Sequence, residues 1–542
     1  MLKKLIKKKS FCILLGQLRG AKKLRERDDP FFVVRTASSL TEVPLGLQEN
    51  DFPKILVGSH GRIAEILLRQ IFLHHYSKIC SAVMQNIGSG KTLSLPLPSA
   101  WRKHLADNGI ACSAFYCRIL LFISTIRQIV IGFAKSIYLF SPFTKHRSPG
   151  CPYVVFVSTS QRQLPILGEK SYDIISWYKE SIIRKPHIGK IWAQTKVEKE
   201  YVAPDDIIVS RSVFPKLGSL SGYVRFFFSN ALAFFVSVFG VLMGKWWYGF
   251  LYHESVLFNY FCSLSTDQLA DDYFFSNSSW FHKPLWAHEA EQKGLSVSLY
   301  FYSVNSGKFE RFEHKEPDTY GLKIMLWNQF IVWDEEQEGF FKRYRPKASF
   351  VKVGYIDNGG LAYNHFRKKR KNILAVFDVT PNRPAYYASF GQAFAIYSEE
   401  MNLAFLEDII KVFNKDTWEI LLKLKRSVNN TVISNAFMRK RLNLIEENMV
   451  IIDPFIAATS LVENSDAVIS MPFSSPSCIA KVKGVSSIYY ARSGLIRYTE
   501  GHGVPVLKGQ VELKKWSESL PFNRIIASHD RKSTSVSQKL AE

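Results

Sequence analysis

The chain has 542 residues, 47% of them apolar, which is too long for one ordinary core and ample to bury several. Lys and Arg number 71 against 47 acidic residues, a formal charge of +24 that draws the chain toward polyanions: nucleic acid, anionic lipid or phosphorylated substrates. The seven cysteines are scattered without a C-x-x-C pair, which argues against a zinc knuckle or a disulfide framework and fits a reducing cytoplasm.

The opening MLKKLIKKKSFCILLGQLRG carries the charge of a signal peptide, but its apolar run is shorter than an h-region and no small-residue cleavage site follows. Residues 1–50 read as a basic extension, fitting either an anionic membrane surface or a solvated tail. KILVGSHG, residues 54–61, reads as a short buried strand and a glycine turn holding His60, followed by a helix over 63–72. A Rossmann-like domain, 51–360, is therefore predicted to start here. The segment 88–92, GSGKT, lacks the first glycine of a Walker A loop, since Gln85 stands there, and is predicted as a turn. Residues 119–140 are apolar but interrupted by Arg127 and Lys135, which predicts an amphipathic helix on a core or on a membrane.

Strands are predicted at 153–157 and 207–214. Then come residues 226–243, eighteen without a charge, flanked by Arg225 and Lys245 and followed by Trp246, Trp247 and Tyr248. Strand-like sequence lies on both sides of this segment, and crossing a bilayer would part the two halves, so a half-immersed or buried helix is expected. A strand at 273–276, a polar loop and a helix at 285–293 follow. Loops at the C-terminal ends of parallel strands hold ligands in α/β proteins, which makes His253, Glu254, Asp271 and Asp272 candidate general bases. Each is equally readable as a capped or ion-paired structural residue. Further strands are predicted at 297–302 and 330–333, and the charged run FRKKRKN at 366–372 marks a domain boundary.

A second β-α alternation fills 361–515, before a tail over 516–542. Its first strand, 373–377, opens into DVTPNRP, which offers Thr380 and Arg383. The strand WEILLKLKR ends in Lys423, Lys425 and Arg426, where positive charge stands either on a solvated face or against substrate phosphate. Apolar runs at 467–470 and 487–490 bracket SMPFSSPS. Pro472 ends the first of them, and Ser474 and Ser475 stand at the N-terminus of the next helix, whose free amides and dipole favour an anion. From the turn alone, Ser474 is as readily a plain N-cap as a phosphate ligand.

With FIVWDEEQEGFF and KVGYID at the domain junction, then LLKLKR, DPF and SDAVISMPFSSPSCIAKVKGVSSIYYA, the chain resembles bacterial surface-carbohydrate (O-antigen or capsule) biosynthesis proteins of glycosyltransferase-B type. In outline it is similar to enzymes using CMP-activated acidic sugars and to those transferring polyol phosphate from CDP-linked donors. It departs from many such families in lacking His-Pro where LLKLKR stands. The resemblance implies two Rossmann-like α/β domains facing a cleft, with an apolar, membrane-associating helical segment in the N-terminal half. It also implies a glycosyltransferase using a nucleotide-activated sugar and a glycan or lipid-linked acceptor, with Ser474 and Ser475 at the donor phosphate. No cofactor and no metal are expected, since no D-x-D stands at a plausible donor strand. The implied site is cytoplasmic, at the inner membrane. The alternatives are a polyol-phosphate transferase and a non-catalytic carbohydrate-assembly protein. Nucleic acid is not an expected partner, because no recognised module is present and the basic residues do not alternate with stacking aromatics.

Overall fold

The computed structural model describes residues 16, 19–20, 22–23, 32–73, 76–141, 146–196, 201–277, 281–304, 321–363, 371–379, 381, 397–424, 435–446, 448–492, 496 and 499–521. Two parallel sheets organise it. The first contains β1 (Tyr153–Val157), β2 (Lys190–Gln194), β3 (Ile207–Ser210), β4 (Asp272–Ser276), β5 (Ser296–Tyr300), β6 (Gln329–Val332) and β7 (Ser349–Lys352), in the order β3-β2-β1-β4-β5-β6-β7. The second contains β8 (Asn372–Phe377), β9 (Trp418–Lys423), β10 (Val450–Ile452), β11 (Ala467–Ser470), β12 (Ser486–Ala491), β13 (Glu500–Gly501) and β14 (Val504–Lys508), in the order β10-β9-β8-β11-β12-β14-β13. All pairings are parallel except β13 with β14. Strands such as YVVFV and AVIS are buried at every position, as expected where helices cover both faces of a parallel sheet.

In each sheet the strand order reverses once, between β1 and β4 and between β8 and β11. Such switch points open a crevice at the C-terminal ends of the strands, where α/β proteins bind ligands. The two C-terminal edges approach each other here. After β5, the Val304 amide donates to Ser475 Oγ at 3.2 Å, and beyond β6 Asp334 meets His502 Nδ1 at 2.6 Å. This is the GT-B-like arrangement of two Rossmann-like domains across a cleft.

Of the strand and glycine turn expected over 54–61, the apolar part KILV is instead helical, and the turn follows at Gly58. Helices α1 (Phe32–Ser39), α2 (Lys54–Val57), α3 (Gly61–Leu73), α4 (Tyr76–Ser89), α5 (Ser99–Asp107) and α6 (Ala114–Phe140) precede the first strand. KILV is too short an apolar run for its period to separate helix from strand. Pro53 stands at the N-cap position of α2, and Gly58 ends it at φ 59°, where an added Cβ would stand 2.5 Å from the Phe258 ring. Of the segment 88–92, expected as a turn, Gly88 and Ser89 end α4 and the chain leaves the helix at Gly90, φ 68°.

The apolar stretch 226–243 forms most of α7 (Leu220–Leu242), which with α6 packs on α8 (Trp247–Cys262). Small residues permit the close approach: a Cβ on Gly132 would meet the Tyr252 ring at 2.9 Å, and one on Gly249 the Thr125 methyl at 2.6 Å. One face of α7 is buried and the other exposed.

Candidate active site

The turn after β11 is built from a strained residue. Phe473 has φ 59°, a left-handed conformation that costs a bulky side chain about 1–2 kcal/mol. Its ring lies 5.6 Å from that of Tyr489 and against Gly501, where a Cβ would come within 2.9 Å. Tyr397 donates to the Pro472 carbonyl at 2.7 Å. This packing holds the chain in a sharp bend that presents the N-terminus of α12 (Ser475–Val482, with α9 Leu285–Gln292, α10 Glu335–Lys342 and α11 Asn435–Glu446 before it) at the switch point. Ser474 occupies the N-cap position but does not cap: its Oγ donates back to the Met471 carbonyl at 2.8 Å. The opening amides of α12 are therefore not taken by that hydroxyl, and an anion there would find donors already aimed. Ser477 is buried and bound to the Ile488 carbonyl at 2.8 Å, which makes it structural.

Lys423 closes β9 level with Phe377 and Ser470, two strand spacings or roughly 10 Å from the end of β11. It donates to the Pro454 carbonyl at 3.1 Å. Burial pushes its ammonium down to about 8, against the pull of Asp453 and Asp378, while Arg162 lowers it further. Arg162 reaches in from the loop after β1, stacked 3.9 Å over the Phe455 ring. Arg441 of α11 pairs with Asp378 at the end of β8, both buried. Sequence reading found Lys423 but not Arg162 or Arg441, whose proximity depends on sheet order and domain docking. Thr380, Arg383, Lys425 and Arg426 lie outside the described residues.

In the N-terminal domain, His253 and Glu254 come from α8, and His282 from the loop after β4. Glu254 is 11% exposed, with Oε1 3.5 Å from His282 Nε2 and 3.9 Å from His253 Nδ1, while Oε2 accepts the Leu285 amide at 3.3 Å. Burial pushes the Glu254 carboxyl up, but His282, His253 and Lys135 outweigh it and hold it well below the usual carboxylate range. His253 is pushed down to about 4, first by burial, then by Lys135, so its ring is neutral at pH 7. Nearby, burial and Lys283 push His288 down to about 2, and His60 bonds Glu289 at 3.1 Å. His282 was missed by sequence reading, although its loop follows a predicted strand on the ligand-binding side.

Asp271 and Asp272 do not join this group. They stand at the opposite, N-terminal end of β4, roughly 16 Å of strand away. There Asp272 pairs with Lys185 at 2.7 Å and Asp271 with His187 at 2.8 Å, the structural ion-paired role.

The buried histidines set a pH response. A ring kept neutral in the fold but protonated in the unfolded chain favours unfolding below its unfolded pKa. Stability is therefore expected to fall as pH drops from about 6.5, by on the order of 2 kcal/mol for each of the two rings between pH 7 and 5. Urea midpoints across that range check it, and a flat profile contradicts it.

A family model described as polysaccharide biosynthesis PFTS motif protein matches residues 230–517. Pro472-Phe473-Ser474-Ser475 falls within that span and repeats those four letters with serine for threonine. No curated protein matches the chain. Among solved structures, it is similar to the glycotransferase of kitacinnamycin at 9% identity, covering 69% of this chain and 91% of that one, TM-score 0.33. It is similar to the calicheamicin glycosyltransferase CalG4 at 10% identity, covering 68% and 89%, TM-score 0.32. A trehalose-6-phosphate structure from E. coli bound with UDP-2-fluoro glucose matches at 11% identity, covering 68% and 91%, TM-score 0.34.

Proposed function

We propose, from the premise that the chain belongs to the polysaccharide biosynthesis PFTS motif family, that it transfers a sugar from a nucleotide-activated donor to a glycan acceptor in surface polysaccharide synthesis. The observation that carries this reading is the strained Phe473-Ser474-Ser475 turn, which aims helix amides into the cleft at a topological switch point. In the reaction the acceptor oxygen bonds to the anomeric carbon as the bond from that carbon to the donor phosphate oxygen breaks. The departing phosphate gains negative charge, which the α12 amides, the Ser475 hydroxyl, the Ser474 hydroxyl once it turns from the Met471 carbonyl, Lys423 and Arg162 stabilise. The acceptor proton passes to His282, whose imidazole Glu254 orients and whose charged form it stabilises. His253 flanks the same carboxylate.

The acceptor is lipid-linked and is met at the cytoplasmic face of the inner membrane; the charge of +24 and the apolar helices beside Glu254 support this. The mass of the unit transferred to an acceptor lipid tests the reaction type. A bare sugar is expected, whereas a phosphate retained on the product would identify a polyol-phosphate transferase. Since protein cations and amides meet the leaving phosphate, activity is expected to persist in EDTA, and loss restored by Mn²⁺ would contradict that. Lys423→Met is expected to raise donor KM about tenfold, the worth of one charge-assisted hydrogen bond. In the native enzyme, donor affinity should weaken as pH rises through about 8, where Lys423 loses its charge; titration of donor binding from pH 7 to 9 reads both effects.

A further inference from the structure

We propose that α6 and α7 dock the protein on an anionic bilayer while lying side by side in the membrane plane, each immersed on one face and neither crossing. On α6 the exposed residues Phe115, Ile119, Phe122, Ile126, Val130, Phe133 and Ile137 recur every three or four positions. On α7 the same spacing joins Leu220, Val224, Phe228, Leu232, Phe235, Phe239 and Leu242, with Phe228 66% and Phe235 67% exposed. Solvent-facing phenylalanines in this number exceed what a monomer's surface ordinarily leaves bare.

Charge selects the occupant. Neither helix contains an acidic residue; α6 carries only Arg118, Arg127 and Lys135, and α7 only Arg225. At 100° per residue, Arg118 and Arg127 stand at the two margins of the α6 stripe and Arg225 at one margin of the α7 stripe. Basic side chains at the edges of an apolar face extend to anionic headgroups while the face enters the acyl boundary.

The inner faces show why the helices lie flat. Asn230 of α7 donates to Ser136 of α6 at 2.6 Å, joining the pair. Near its start α7 is held to the end of α8, where Arg225 donates to the Cys262 carbonyl at 3.3 Å. Near its other end Gly240 rests on Tyr248 at the start of α8, where a Cβ would meet the ring at 2.1 Å. The helix is thus fastened along its length to α8. Crossing the bilayer would draw α8 and the charged Glu254 into hydrocarbon, at a cost of several kcal/mol. Lying flat instead keeps the Glu254–His282 pair about one helix diameter, roughly 10 Å, from the lipid. That a lipid-borne acceptor thereby reaches this pair rests on the function proposed above; the docking itself does not.

The test is flotation of the full chain with vesicles of phosphatidylethanolamine and phosphatidylglycerol, set against phosphatidylcholine alone. Binding is expected to the anionic vesicles and to fall at least about tenfold in the Phe228→Asp, Phe235→Asp, Phe239→Asp variant, with its unfolding temperature unchanged. The Ser474→Ala, Ser475→Ala variant is expected to bind as the native chain does, so loss of transfer and loss of docking are read separately. Spin labels placed by Leu220→Cys, Phe235→Cys and Leu242→Cys, corrected for labelling of the native chain, are expected to report one shallow depth. Undiminished binding by the triple variant, equal binding to phosphatidylcholine, or a deep Phe235 label between two shallow ends would overturn the proposal. So would dimerisation without vesicles that the triple variant abolishes, since that assigns the face to a second copy.

Discussion

Replacing Ser474 and Ser475 together by alanine is expected to lower kcat/KM for transfer at least about 100-fold, the scale set by removing a preorganised donor from developing negative charge. Most of the loss should appear in donor binding and the chemical step, because both serines belong to the turn proposed to hold the donor phosphate. Stability should change far less. The variant loses the Ser474 bond to Met471 and the Val304 bond to Ser475, each a partly buried hydrogen bond worth about 1 kcal/mol. The two serines separate by their partners. Ser475 bridges the domains, so Ser475→Ala alone should also loosen closure, whereas Ser474→Ala should act on donor phosphate and on the turn that Ser474 braces through Met471. Steady-state kinetics of the three variants, with unfolding temperatures beside them, distinguish these effects. A double variant with native kcat/KM would remove the turn from the mechanism.

Glu254→Gln is expected to reduce kcat on the order of 100- to 1,000-fold while leaving donor KM near its native value. The amide keeps the shape and can still accept from the Leu285 amide, but it cannot neutralise an imidazolium on His282. The same change leaves Lys135 without its counter-charge and should cost about 3 kcal/mol of stability. The carboxylate also contributes to acid sensitivity. Its folded pKa lies below the unfolded value, so its stabilisation is complete above about 4.5 and is lost as pH falls further. The variant should therefore show a shallower decline in that acid range. A drop in stability with unchanged kcat would leave Glu254 a structural residue.

The strands were the most legible part of this chain. Parallel strands covered on both faces must be apolar throughout, so YVVFV, NILAVF and AVIS announced themselves. β2 did not, because KIWAQ carries only three apolar residues between Lys190 and Gln194. KILV failed for the opposite reason, since Pro53 and Gly58 punctuate a helix as readily as a strand. The SMPFSSPS turn could be located from its flanking strands, but its strain at Phe473 could not, because a positive φ there depends on the Tyr489 and Gly501 packing. His253 and Glu254 were found as neighbours in sequence, whereas their partners His282 and Lys135 lie far off and meet them only through helix packing. Asp271 and Asp272 show what strand direction decides. Both adjoin β4, but at its start, where the fold spends carboxylates on Lys185 and His187 rather than on ligand.

The central claim is that a nucleotide-activated donor binds at the Phe473-Ser474-Ser475 turn, and thermal unfolding of the full chain with CMP, CDP, UDP, GDP and their sugars tests it most directly. A ligand that binds only the folded state at 100 times its Kd adds about 2.7 kcal/mol of apparent stability, a readily measured shift. The expected result is a rise with one nucleotide and its sugar that disappears in the Ser474→Ala, Ser475→Ala variant. No shift with any of them, or one equally large in that variant, would contradict the assignment.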